Sequence, residues 1–188
     1  SAARQEQAGF EDLVDYLKMA RESIKEAELD TELIYAYAKT TRLADLEEFI
    51  AVPNVANIQE IGEQVFEEGM YEAAKLLFNN INNNAKLALC FVHLEQWREA
   101  VDAATKANSV RTWKEVNAAC VKAGEFRLAG VCGLHIIVHP DHLDELILHY
   151  EKEGHPDHLI ALLEQGLGLE NTHRGIFTEL GVVYSKYS

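Results

Sequence analysis

The phrase GMYEAA, Gly69 to Ala74, returns in altered form as EQWREA at residues 95–100 and as GEFRLA at residues 124–129. Weaker copies lie at residues 41–46 and 154–159. The residue that ends each copy is small or apolar and recurs every 26 to 30 residues, at Leu46, Ala74, Ala100, Ala129 and Leu159. A period of this length holds two short helices and two turns. The sequence therefore predicts an all-α fold, a right-handed α-α superhelix built as a solenoid of helix-turn-helix repeats.

Each phrase predicts the start of the second helix of a pair. The aromatic residue and the alanine three positions later, such as Tyr71 and Ala74, lie on one helix face. The small alanine allows a neighbouring helix to approach closely while the aromatic ring fills the space beside it. Gly69 and Gly124 stand where the preceding helix ends, because glycine adopts the left-handed C-terminal conformation without strain. Glu95 departs from this pattern, since it occupies the position of the glycine.

Capping signals predict where the first helices of the pairs begin. The predicted starts are Asp30 before residues 31–39, Asn57 before 58–68, Thr112 with Glu115 as a capping box before 113–123, and Asp141, after Pro140, before 142–153. No alternating Val/Ile/Thr segment bounded by turns occurs, so we expect eleven or twelve helices and no strand.

The domain prediction is one continuous solenoid over residues 1–188, with about five and a half helix pairs. A first-type helix begins near Ile176 and the sequence stops before its partner, which predicts exposure of Phe177, Leu180 and Val183. A natural terminal repeat has a polar outer face. The chain is therefore expected to be an excerpt from a longer array.

The net charge of −14 makes general binding to nucleic acid or anionic lipid unfavourable. The charge is uneven, because residues 73–140 contain eight basic and five acidic side chains. Lys106, Arg111, Lys114 and Lys122 form the densest part of this basic stretch. It has two interpretations: a solvated surface, which is the usual one, or a docking strip for an acidic partner or an acidic segment of a second copy.

The sequence contains no motif that indicates catalysis, a cofactor or a metal site. His135, His139 and His142, followed by three more histidines up to His158, are dense, but Pro140 interrupts the helix and no ligand spacing is completed. We expect these histidines to pack between repeats. Three cysteines without a C-x-x-C pair favour buried thiols in a reducing cytosol. No apolar run or leader predicts membrane insertion or secretion.

Several longer phrases are more specific than the repeat. They are ELIYAYAK (32–39), LEEFI (46–50), YEAAKLL (71–77), KANSVRTWKEV (106–116), CGLHIIVH (132–139), GLGLE (166–170) and FTEL (177–180). Together they closely resemble the leg of the clathrin heavy-chain family, from the knee to the start of the proximal leg. The resemblance runs from about Leu13 to Tyr187.

The resemblance implies a structural coat protein rather than an enzyme. In that family, legs of trimeric molecules lie side by side in a polyhedral lattice on the cytosolic face of coated pits and vesicles, in endocytosis and intracellular transport. The implied partners are other heavy-chain legs and the light chain. The family's basic position in the phrase T-E-L-x-x-x-Y-S-K matches Lys186. Lys186 is thereby a candidate contact for light-chain carboxylates, and the fragment itself is expected to be a monomer or a weak self-associate.

Two other kinds of helical-repeat protein remain as alternatives. A tetratricopeptide adaptor would have a strict 34-residue period, which the spacings here do not follow. A vacuolar-sorting type of tethering subunit uses the same kind of repeat but is not expected to contain the phrases at residues 112–116 and 133–139. An enzyme is the least favoured class, because no catalytic motif is present.

Overall fold

The computed structural model describes residues 2–187, and within them every regular element is an α-helix. The helices are α1 (Ala2–Ser23), α2 (Ala27–Lys39), α3 (Leu43–Ala51), α4 (Ile58–Glu67), α5 (Tyr71–Asn80), α6 (Asn84–His93), α7 (Trp97–Ala107), α8 (Val110–Ala123), α9 (Phe126–Ile137), α10 (Pro140–Lys152), α11 (Pro156–Gly166) and α12 (Arg174–Tyr187). The prediction of an all-α repeat fold without strands is confirmed for this part of the chain.

The chain divides after Leu94 into two compact units, the N-terminal unit with α1–α6 and the C-terminal unit with α7–α12. Within each unit, most helices that follow one another in the chain pack together, and several also pack against the next helix but one, as α3 does against α5. This is the neighbour-only packing of a helical-repeat solenoid. A single continuous solenoid and its right-handed sense stay predictions.

The repeated phrase starts the second helix of a pair, as predicted. Tyr71, Trp97 and Phe126 are the first residues of α5, α7 and α9. The alanine three positions later is completely buried in all three copies. The phrase therefore fixes both the beginning of a helix and the residue that faces its neighbours.

A left-handed residue precedes each of these helices by two positions. Gly69 and Gly124 have φ angles of 79° and 77°, which confirms their predicted role, and Gly154 has 80°. Thr41 and Glu95 adopt the same conformation with φ angles of 55° and 57°. Because a Cβ atom makes this region unfavourable, the fold imposes the turn even where the sequence does not supply glycine.

Two of the predicted helix starts are wrong, because both residues lie inside helices. Helix α2 begins at Ala27, and Asp30 is buried in its first turns, where it binds groups outside the helix. Helix α8 begins at Val110, so Thr112 is also internal and buried, and no capping box forms. Both residues are of the types that favour caps, but each faces the core.

The other two helix starts lie closer to their predicted positions. The Asn57 side chain accepts a hydrogen bond from the Glu60 backbone N–H, as expected for an N-cap. Helix α10 begins at Pro140 itself rather than after it. Proline fits the first helical position because its missing N–H would have no partner there.

The expected exposed face of α12 is wrong for two of its three residues. Phe177 is 71% exposed, as predicted, but Leu180 and Val183 are buried. Helix α12 packs against α11 and α10. The buried pair faces these two helices, so the apolar stripe of α12 is used within the C-terminal unit.

Candidate partner-binding surfaces

The basic stretch lies on α7 and α8 of the C-terminal unit. Lys106 is exposed in the last turn of α7. Arg111, whose side chain is 88% exposed, lies near the start of α8 and pairs with Glu115 one turn later, at 3.2 Å. Such an exposed pair is weak. Lys106 and Arg111 can therefore reach a partner without disturbing the core.

Lys114 is less exposed than Arg111 and is already engaged. Its Nζ forms an ion pair with Glu145 of α10. The hydrogen bond from Lys114 lowers the pKa of the Glu145 carboxyl group. Lys114 thus joins α8 to α10, and an external carboxylate would have to compete with Glu145 for it.

Lys186, the candidate light-chain contact, lies in the last turn of α12. Its Nζ is 2.9 Å from Glu151 Oε1 of α10 and 5.3 Å from the centre of the Tyr187 ring. The hydrogen bond to Glu151 raises the pKa of Lys186. About half of the Lys186 side chain remains exposed, so it can be reached by a partner that displaces Glu151.

The structure does not bring Lys114 and Lys186 to one surface of α10. Their partners Glu145 and Glu151 are six residues apart, which places them about 120° apart around the helix. We therefore treat the sequence-predicted residues as two separate candidates: the basic strip of Lys106, Arg111 and Lys114, and the Lys186 site.

A groove between α8 and α10 was not predicted from the sequence. It has a volume of about 240 Å³ and its apolar lining consists of Ala118, Ile136, Leu146 and Leu148. Lys114 and Lys152 are part of the same lining. The signal that could have indicated it is the exposed Leu148 on the otherwise polar side of α10.

Two of the clustered histidines pack against aromatic rings of other helices, and the contact of His158 lies between two helix pairs, as expected from the sequence. His135 stacks on Trp113 with ring centres 4.1 Å apart, and His158 stacks on Phe126 at 3.7 Å. These contacts connect α8 to α9 and α9 to α11. Within residues 2–187, no group of three or more His, Cys, Asp or Glu side chains is arranged to hold a metal ion.

All three cysteines are buried. Desolvation raises the pKa of Cys90 and Cys132 to about 12 and that of Cys120 to about 11. The thiolate is the reactive form of cysteine, so these three side chains behave as small apolar residues. Among the described helices, none combines the length and apolar character needed to cross a membrane.

Comparisons with known proteins give one consistent result. The family model described as "Region in Clathrin and VPS" matches residues 3–128. "Clathrin heavy chain" of Drosophila melanogaster is 60% identical over 178 residues, which cover 95% of this chain. "Clathrin heavy chain" of Dictyostelium discoideum is 55% identical over 186 residues (99% of this chain), and "Clathrin heavy chain 2" of Homo sapiens is 53% identical over 178 residues (95%).

The chain spans 11% of the length of each of these three relatives. The family model, in contrast, covers more than half of the chain itself. The repeated helix pairs described above are the structural counterpart of this match. The chain therefore belongs to the clathrin family.

Proposed function

We propose that the chain is a leg segment of a coat-forming heavy chain, with a structural rather than an enzymatic role. The observation that carries this proposal is the match of 53–60% identity to heavy chains of an insect, an amoeba and a human over 95–99% of the chain. Its place would be the cytosolic face of coated pits and vesicles. Its main partners would be the legs of other heavy-chain molecules.

The packing within each unit supports this role. Neighbouring helices bury their apolar stripes against each other and leave charged outer faces. Contacts between such faces are individually weak, but many of them along a leg add up through multivalency. A lattice built in this way can form and can also be taken apart.

A chimera tests the proposal directly. The matching 178-residue segment of the Drosophila melanogaster heavy chain would be replaced by this chain, and the assembly of purified chimera into cages would be followed by light scattering and electron microscopy. We expect cages like those of the parent protein. A folded chimera that forms no cages would contradict the proposal.

The light chain is the proposed second partner, and Lys186 is the proposed contact. Lys186→Glu should weaken the binding of purified light chain by about tenfold, as expected when a charged contact is reversed. Glu151→Gln should strengthen binding, because it frees Lys186 from its internal partner. Lys25→Glu, which changes an exposed lysine just before α2 in the N-terminal unit, is the control and should have no effect.

The basic strip is a proposed contact for an acidic surface of a neighbouring leg. Simultaneous charge reversal at Lys106, Arg111 and Lys114 should weaken assembly in low salt. The difference from the parent protein should shrink as salt is added, because exposed charges are screened. Unchanged assembly at low salt would leave the strip as a merely solvated surface.

A tethering subunit of the vacuolar-sorting kind is the second candidate, because the matching family model also includes VPS proteins. The named relatives at 53–60% identity are all heavy chains, which favours the coat role. The chimera separates the two candidates, since a segment suited to tethering would not restore the lattice.

A further inference from the structure

The groove between α8 and α10 combines an accessible apolar anchor with a closed floor. Leu148 is 64% exposed at its edge, whereas Ile136 and Leu146 are buried beneath it. Burying an exposed leucine side chain against a partner would be favourable, because it removes apolar surface from water. The volume of about 240 Å³ is below the roughly 300 Å³ of small-molecule sites. It is therefore suited to one or two apolar side chains of a peptide.

The charged side chains that line this groove are two lysines and one glutamate, in a chain whose net charge is −14. Lys114 and Lys152 lie in the lining together with a single carboxylate, Glu145, which is already paired with Lys114. Within the described residues, Lys152 is exposed and has no ion-pair partner. The positive charge of Lys152 is therefore available to a partner, and that of Lys114 becomes available when a carboxylate of the partner replaces Glu145.

The histidine in the lining adds hydrogen-bonding capacity. His149 Nε2 is buried and makes no hydrogen bond to another described residue. Buried polar side-chain atoms usually have a partner. His149 follows Leu148 directly on α10, so this unused capacity lies in the same wall as the apolar anchor.

We propose that this groove binds a short acidic peptide segment of a partner protein, with one bulky apolar side chain inserted beside Leu148 and flanking carboxylates held by Lys114 and Lys152. The charge complementarity selects this occupant. An anionic membrane is disfavoured because it would also meet the acidic remainder of the chain, whereas a short peptide meets only the groove. The groove differs from the Lys186 site and shares Lys114 with the basic strip. It does not depend on the coat role, because its chemistry follows from the C-terminal unit alone.

A photo-crosslinking experiment tests the proposal. The probe is a pool of fluorescent dodecapeptides that contains only glutamate, aspartate, leucine and photo-leucine, incubated with the 188-residue chain. We expect crosslinks at Leu148, Lys152 or Ala118 on mass spectrometric mapping. Crosslinks confined to other surfaces would overturn the proposal.

Two variants separate the apolar contact from the charges. Leu148→Ser and Lys152→Glu should each weaken binding of the pool by about tenfold in fluorescence polarisation, the size of loss typical of an important contact. The controls are Val182→Ser, an exposed apolar residue of α12, and Lys25→Glu, an exposed lysine of the N-terminal unit. Equal binding by all four variants, each shown by circular dichroism to be folded, would overturn the proposal.

Two further measurements exclude other occupants. A pool in which serine replaces leucine keeps its charge and should bind at least about tenfold more weakly; equal binding would indicate general electrostatic attraction instead. Sedimentation equilibrium of the chain alone tests for a second copy in the groove. Self-association that is lost in Leu148→Ser would assign the groove to that second copy and overturn the proposal.

Discussion

The two units connect their helices by different means. In the N-terminal unit, the buried Asp30 of α2 accepts a hydrogen bond from Arg21 of α1 at 2.9 Å and another from the Val55 backbone N–H at 3.0 Å. One carboxylate thereby joins two helices and the segment before α4. Arg21 also lies over the Phe49 ring of α3, 4.6 Å from its centre.

In the C-terminal unit, the corresponding connection is made by close packing. A Cβ atom added at Gly133 of α9 would lie 2.6 Å from Leu162 Cδ2 of α11, and one added at Gly166 of α11 would lie 2.4 Å from Ile137 Cδ1 of α9. Two glycines thus allow α9 and α11 to approach each other. The repeated phrase determines the helix and its turn, whereas the contact between successive pairs differs from one pair to the next.

Loss of the polar connection at Asp30 should have the largest effect on the free energy of unfolding. Asp30→Ala should lower the free energy of unfolding of the N-terminal unit by about 2–3 kcal/mol, because Arg21 and the Val55 N–H lose a charged, buried acceptor. Urea unfolding measures the loss, and faster hydrogen exchange at the Val55 amide localises it. Asp45→Ala is the control, since Asp45 forms only a partly exposed pair with Arg42 and should change stability by less than about 1 kcal/mol.

A methyl group placed in the close-packed connection should have the next largest effect. Gly133→Ala should destabilise the C-terminal unit by about 1–2 kcal/mol, because overpacking against Leu162 outweighs the better helix propensity of alanine. Gly130→Ala, three residues earlier on α9, meets no atom within 4 Å and should instead stabilise the unit by about 0.5–1 kcal/mol. The same sign of change in both variants would refute the close-packing interpretation.

The C-terminal unit also contains a polar connection, made by the hydrogen bonds of one buried side chain, and its loss should have a smaller effect. Buried Asn117 of α8 donates to the Ala129 carbonyl oxygen of α9 at 2.8 Å and to Tyr150 Oη of α10 at 3.3 Å. Tyr150→Phe should lower the free energy of unfolding by about 1 kcal/mol. Tyr16→Phe, which changes an exposed ring of α1, should have no measurable effect in the same urea experiment.

Tyr150→Phe should also change how the free energy of unfolding depends on pH in the alkaline range. Burial raises the pKa of Tyr150 to about 12, above the value of about 10 for an exposed tyrosine. Between these two values the unfolded state loses the phenol proton while the folded state keeps it, so this group makes the wild type less stable as pH rises. Tyr150→Phe should therefore show a shallower loss of stability from pH 10 to 12. Parallel curves would contradict this assignment.

The helix pairs and their turns could be predicted from the sequence because they depend on local, periodic signals. The side chains that interact between successive helix pairs could not be predicted, although their separations in the sequence are regular. Lys114 pairs with Glu145, Asn117 with Tyr150 and Lys186 with Glu151, at separations of 31, 33 and 35 residues, which is about one repeat.

Spacing alone does not select these partners, since Asp141, Asp144 and Glu145 lie close together in the sequence. Which of them faces α8 depends on the rotation of α10 about its axis. That rotation is set by packing, and for the same reason the sequence alone does not predict the groove beside Leu148. Likewise, the partners of Asp30 lie 9 and 25 residues away in the chain, so its local sequence indicates only a cap.

The smallest expected effect concerns the turn where sequence and conformation disagree. Glu95 has a φ angle of 57° at the position where Gly124 has 77°. Glu95→Gly removes the strain of a side chain in the left-handed region but increases the entropy of the unfolded chain, so the net gain should be only about 0.5 kcal/mol. Gly124→Ala introduces the strain and should cost about 1 kcal/mol. Thermal unfolding of both variants measures the two changes in stability. A loss of stability in Glu95→Gly would show that the Glu95 side chain makes a contact that outweighs the strain of its turn.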